Sequence, residues 1–351
     1  MTLDILFIGD PHFQINNMVE IELFMTSIVN IVTTRKPDLI VIAGDILHTH
    51  ERLHTTVLNK AHEFVNLMRR LTKTYILVGN HDYISNTQFL NDNHWMNSMK
   101  EWDNVVIVDR VLREKIGDST FVFVPYVYPG RFEEALDTLG DRLWSESDCI
   151  FAHQEFEGCK MGAIVSIDGD NWNVDHPQVI SGHIHNKQQP QSNIFYPGTP
   201  MQHAFGDTDG NVVVMFKFKG GGEMYDMDEI KLDLPRKTIV YLDIEGLEDY
   251  TPSVENGDKL RITVTGSFEQ FKTMKKTAKY KNLINDGVKI VFKPERDKEP
   301  VSELFDISSG DSDFLSILST IVMNQKSTYL LQAHDLIIRN KITDVDDIFF
   351  L

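Results

Sequence analysis

Through the first two-thirds of the chain, short runs of β-branched and other apolar residues alternate with longer stretches whose apolar positions return every three or four residues. The short runs predict buried strands at 4–8, 39–42, 75–78, 105–108, 121–124, 149–151, 179–181 and 194–196. The helical spacing predicts helices over 18–35, 55–71 and 131–144. Strands alternating with amphipathic helices give a layered α/β fold. A Gly-rich stretch at 217–223 reads as a turn, and Leu234-Pro235-Arg236 as a hinge. Beyond it the order strand (238–244), strand (259–264), helix (268–282), strand (287–292) predicts a small α+β cap. A charged linker between Pro294 and Pro300 leads to an apolar tail with helical spacing. The expected domains are therefore 1–235, 236–298 and 299–351.

Almost every predicted strand ends in a polar cluster: Gly9-Asp10-Pro11-His12, Gly44-Asp45, Gly79-Asn80-His81-Asp82, His153, and Gly182-His183-Ile184-His185. Ligands of open α/β sheets collect outside the carboxyl ends of strands. Asp10, His12, Asp45, Asn80, His153, His183 and His185 would thus share one cavity. Carboxylate, amide and imidazole donors without thiolate suit manganese, iron or zinc. Asp45 has two oxygens with which to bridge two ions, the arrangement that clamps an in-line phosphoryl displacement. Each cluster alone could be a cap or a tight turn, but five in this order share residue type, spacing and strand-end position. Of the 13 histidines, 12 lie in residues 1–203, which assigns imidazole chemistry to the first domain.

Composition narrows the picture. The net charge of −18 argues against a free-standing nucleic-acid binder. Residues 259–298 reverse the sign, with 11 basic against 4 acidic side chains. Lys272, Lys275, Lys276 and Lys279 recur there on one predicted helix, either as a track for a phosphate backbone or as a solvated face. Cys149 and Cys159 are too few for a disulfide framework or a Cys-rich zinc site. The N-terminus lacks a basic leader, and no apolar run approaches the roughly 18 residues of a membrane span, so an intracellular, cytoplasmic protein without a membrane partner is expected.

The order D-x-H, GD, GNHD, H, GHxH resembles the signature of calcineurin-like metallophosphoesterases. The resemblance implies a β-sandwich flanked by helices, with one metal on Asp10, His12, Asp45 and His185 and a second on Asp45, Asn80, His153 and His183. It also implies that His81 protonates the leaving oxygen, with Asp82 orienting its ring. More narrowly, Gly44-Asp45-Ile46-Leu47-His48 is similar to a segment of SbcD-type double-strand-break-repair nucleases, which makes His48 a substrate-facing candidate. Tyr196-Pro197-Gly198-Thr199-Pro200, with Phe205-Gly206-Asp207 after it, also resembles that branch, whereas Pro11 and Phe13 depart from it.

That branch implies a manganese-dependent 3′–5′ exonuclease and single-strand endonuclease acting on DNA in replication, recombination and repair, and a homodimer. It also implies a separate SbcC-type coiled-coil ATPase partner, and the chain has no GxxxxGK(S/T) loop of its own. The apolar tail residues, among them Phe314, Ile317, Ile321, Tyr329 and Leu336, either dock that ATPase or pack on the chain's own core. A phage-encoded form would work in the host cytoplasm. The rival readings are a phosphoesterase of nucleotides or other small phosphoesters, and a scaffold of this fold without catalysis.

Overall fold

A computed structural model describes residues 2–50, 52–162, 164–220, 225–253, 257–295, 314–324, 330, 331 and 334. They fall into two compact units, 1–294 and 295–351.

The first unit opens with β1 (Leu3–Ile8), α1 (Met18–Arg35), β2 (Leu39–Ile42), α2 (Thr55–Leu71), β3 (Lys73–Leu77) and β4 (Val105–Val108). It continues with β5 (Leu112–Ile116), β6 (Ser119–Val124), α3 (Phe132–Leu136), β7 (Cys149–His153), β8 (Lys160–Met161) and β9 (Ile164–Val165). Then come β10 (Val179–Gly182), β11 (Gln188–Gln191), β12 (Ile194–Tyr196), β13 (Val212–Phe218) and β14 (Asp226–Lys231). Two six-stranded sheets result, ordered β14-β13-β1-β2-β3-β4 and β11-β12-β10-β7-β6-β5, each with a parallel centre and an antiparallel edge.

The continuous apolar runs of the central strands follow from burial on both faces. In β1, Ile5 and Phe7 join Val41, Tyr75, Phe123 and Phe151 in the layer between the sheets. Leu6 and Ile8 turn the other way, against Phe24 and Ile28 of α1 and Phe64 of α2. The stretch from Ile15 to Arg35, though interrupted by Asn16, Asn17, Glu20 and Glu22, is long and apolar enough to cross a membrane by length and composition alone. Here that apolarity is spent on the core: Ile21, Phe24, Met25 and Ile28 are buried against the first sheet.

The helix predicted over 131–144 is broken. After α3, Gly140 takes φ 74°, and Asp141 and Arg142 are also left-handed, so only short 3₁₀ turns flank them. The remainder of the unit is a three-stranded parallel sheet, β15 (Lys237–Asp243), β16 (Lys259–Gly266) and β17 (Lys289–Pro294), with α4 (Gly246–Asp249), α5 (Phe268–Met274) and α6 (Ala278–Asn285). Leu260, Ile262, Val264, Met274 and Leu283 form its own small core. The single helix expected over 268–282 is thus two, because Thr277 caps α6 with its side chain and restarts the turn. In the second unit α7 spans Phe314–Asn324.

Candidate active site

The parallel strands of the two sheets end side by side, so the polar residues that follow β1, β2, β3, β7 and β10 converge. Asp10, His12, Asp45, Asn80 and His153 are buried, and His183 and His185 partly so. Reaching this arrangement bends the backbone into sparsely populated conformations, with φ 44° at His12, 48° at Asp45 and 79° at His183.

Asp45 sits at the centre. Its Oδ2 lies 3.5 Å from Nε2 of His12 and 3.5 Å from Nε2 of His153, while its Oδ1 accepts the backbone N–H of His81 at 2.8 Å. Around one side gather Asn80 Oδ1, His153 Nε2 at 3.0 Å from it, and His183 Nδ1 at 2.9 Å. On the other side His12 Nε2 and His185 Nε2 face each other at 3.0 Å.

The outward nitrogens of His153 and His183 are held by neighbours. His153 Nδ1 donates to the Ala43 carbonyl at 2.7 Å, and His183 Nε2 lies 3.9 Å from Glu155. Such anchoring turns the other nitrogen inward as a lone pair. His183 also holds the Glu155 carboxyl below its usual range.

Asp10 and Asp45 have carboxylate oxygens free to take a cation, and this donor set fits a pair of divalent ions. Asp10 Oδ1 is buried with no hydrogen-bond donor among the described residues, the nearest imidazole nitrogen being His153 Nδ1 at 3.3 Å, and lone pairs of Asn80, His153 and His183 crowd together as they would around a shared cation. Burial, helped by neighbouring imidazoles including His203 and His185, keeps His12 well below the usual histidine range and therefore neutral, the form that coordinates. Burial alone would raise Asp45, but the neighbouring His153 outweighs it and holds the carboxylate well below its ordinary value.

Sequence reasoning missed His203. It forms with His12 and His185 a group whose ligand nitrogens lie within 4.8 Å of one another. Its Nε2 donates to the Asp10 carbonyl at 2.9 Å, and its Nδ1 is buried without a hydrogen-bond partner among the described residues. His203 therefore belongs among the candidate metal-holding residues, beside the four expected at the first position.

His81 stands over His12 with ring centroids 4.9 Å apart. Its Nδ1 donates to the His48 carbonyl at 2.7 Å, leaving Nε2 as the nitrogen available to a phosphate. The expected role of Asp82 does not hold. Its carboxylate accepts instead from the Gly79 backbone at 3.1 Å and from Trp95 Nε1 at 2.8 Å, so it braces the loop rather than the ring. Burial, with Asp45 nearby, raises this carboxyl to about 6. His48 does enter the site, its Nδ1 3.3 Å from Nδ1 of His12, and His50 stacks on His81 at 4.5 Å. Lys272 lies on α5, Lys275 and Lys276 in the break, and Lys279 on α6, so the four do not share the single helix face expected of them.

Residues 3–187 match the model of the calcineurin-like phosphoesterase family. The chain belongs to that family, whose members hydrolyse phosphoesters with divalent metal ions. It is 49% identical over 274 residues to protein 244L of Invertebrate iridescent virus 6, described as a phosphoesterase, covering 78% of this chain and 97% of that one. Protein 078R of Invertebrate iridescent virus 3, described likewise, is 43% identical over 320 residues, covering 90% and 91%. A solved phosphatase from Mycoplasma pneumoniae aligns with 66% of this chain and 93% of its own, at 10% identity and a TM-score of 0.37.

Proposed function

We propose that this phosphoesterase is a DNA nuclease subunit that hydrolyses phosphodiester bonds at DNA ends, with manganese as its metal and an SbcC-type ATPase as partner. The observation that carries the reading is the position of His48. The Gly44–His48 segment resembles the SbcD-type one, and its histidine stands beside His12 and His81, where the substrate phosphate would lie.

Bound divalent ions supply Lewis-acid polarisation of the phosphoryl group and a water acidic enough to attack at neutral pH. The chain's own residues do the rest. Asp45 sets the spacing between the two ligand groups from a single carboxylate. His81, with Nδ1 fixed by the His48 carbonyl, donates the Nε2 proton to the departing oxygen.

The cap lysines would add sequence-independent contact with the DNA backbone. Lys272, Lys275 and Lys276 are exposed, which suits that role even though the helix is broken. In the tail, Ile321, Leu330 and Leu331 are exposed apolar side chains suited to the coiled-coil root of the ATPase, while Tyr329 and 336–338 lie outside the described residues. Dimerisation through the phosphoesterase domain is part of the same reading.

The deciding experiment incubates purified protein and manganese with linear duplex DNA, with and without the ATPase. Shortening of the DNA, lost in His81→Ala while bound metal persists, is the expected result. Rapid turnover of small phosphomonoesters with DNA left intact in both conditions would establish the small-substrate alternative.

A further inference from the structure

The loop that delivers His48 to the site separates two recesses. One is a 260 Å³ cavity whose walls include the apolar Phe13, Leu47, Leu53 and Val57 together with His48 and Arg52. The other is an open groove of 540 Å³ containing His48, His50, Arg52 and Asn86. Both recesses therefore begin at a histidine in contact with the metal-holding cluster, and both contain the same arginine four residues farther on.

Arg52 differs from most basic residues near this face. Lys60 is tied to Glu22 and Glu63, Lys259 to Glu20 and Lys237 to backbone carbonyls, whereas the Arg52 guanidinium makes no ion pair or hydrogen bond among the described residues. The Arg52 backbone is held differently: its carbonyl accepts from the Thr49 hydroxyl at 3.1 Å. Thr49 thereby closes the loop and keeps the Arg52 backbone next to His48 while the side chain stays uncommitted. A permanently charged planar fork beside an apolar recess, adjoining a phosphoester site, is suited to a second phosphate.

We propose that Arg52 binds the phosphate one nucleoside away from the scissile one, with the apolar recess holding part of the nucleoside between them. The substrate class is then one with phosphates in series, a polynucleotide end rather than a single ester. This rests on the nuclease reading and sharpens it, since a substrate with one phosphate would leave Arg52 idle.

The test uses competitive inhibition of bis(p-nitrophenyl) phosphate hydrolysis by thymidine 3′,5′-bisphosphate and by thymidine 5′-monophosphate. The ratio of the two inhibition constants is read within each protein, so a general change in activity cancels. Charge-assisted hydrogen bonds predict that the wild type binds the bisphosphate about 10- to 100-fold tighter. Arg52→Ala should bring the ratio close to one, and Arg52→Lys should keep part of it. A ratio near one in the wild type, or a ratio that survives in Arg52→Ala, overturns the proposal. The nuclease reading fails separately, by intact linear DNA, so the two failures are distinguishable.

Discussion

A Cβ built on Gly79 would lie 2.2 Å from Oδ1 of Asp45 and 2.5 Å from its backbone nitrogen, and one on Gly182 would lie 2.7 Å from Oδ1 of Asp10. Neither glycine is there for a left-handed backbone; each leaves room for a ligand carboxylate to be pressed against the neighbouring strand end. Gly79→Ala should therefore displace Asp45, costing about 1–3 kcal/mol in a urea titration and lowering bound metal measured by elemental analysis. His81→Ala should behave oppositely, retaining metal while hydrolysis falls by about 100- to 10,000-fold in steady-state assays. Asp10, His12, Asp45, Asn80, His153, His183 and His185 were legible because their motifs recur at strand ends. His203, Glu155 and Trp95 were not, since each is a lone polar residue whose partner comes from a different motif: Asp10, His183 and Asp82 respectively.

Among the elements, α1 and α2 end where their periodicity ends, at Met18–Arg35 and Thr55–Leu71. In the spans 131–144 and 268–282 the apolar spacing continues across a break, imposed by local backbone geometry at Gly140 and by side-chain capping at Thr277, so the first helix stops at Leu136 and the second is split in two. The edge strand β14 has no sequence signal for a different reason: its DMDEIK sequence is largely exposed and carries no apolar alternation. The broken α5–α6 pair bears on DNA contact. If its lysines neutralise phosphates, replacing Lys272, Lys275 and Lys276 by Ala should flatten the salt dependence of DNA binding, by up to about 0.9 in slope for each phosphate no longer neutralised, as fluorescence anisotropy across a salt series would read.

The end of β4 supplies another test. Burial would raise the Asp109 carboxyl, but His94 Nε2 at 3.2 Å and Lys100 together hold it below the usual range. A depressed carboxyl contributes stability above its unfolded value of about 3.9 that is lost as pH falls through the lower folded value. Asp109→Asn should accordingly shrink the difference in urea midpoint between pH 7 and pH 3.

For the molecule as a whole, a chain of charge −18 concentrates buried carboxylates and imidazoles at one sheet rim. Ions that bind the folded rim and not the unfolded chain stabilise by linkage, about 2.7 kcal/mol at a hundred times Kd. Chelation should lower the thermal midpoint of the wild type, and restored manganese should raise it in a concentration-dependent way, followed by calorimetry. Asp45→Ala should lose most of that metal-dependent shift.

The donors of that rim are scattered from Asp10 to His203, one or two from each of several strands. A ribosome must therefore synthesise as far as His203 before the last of these imidazoles emerges. A product ending before His183 would lack three of the rim's imidazoles, those of His183, His185 and His203, and so could not assemble it.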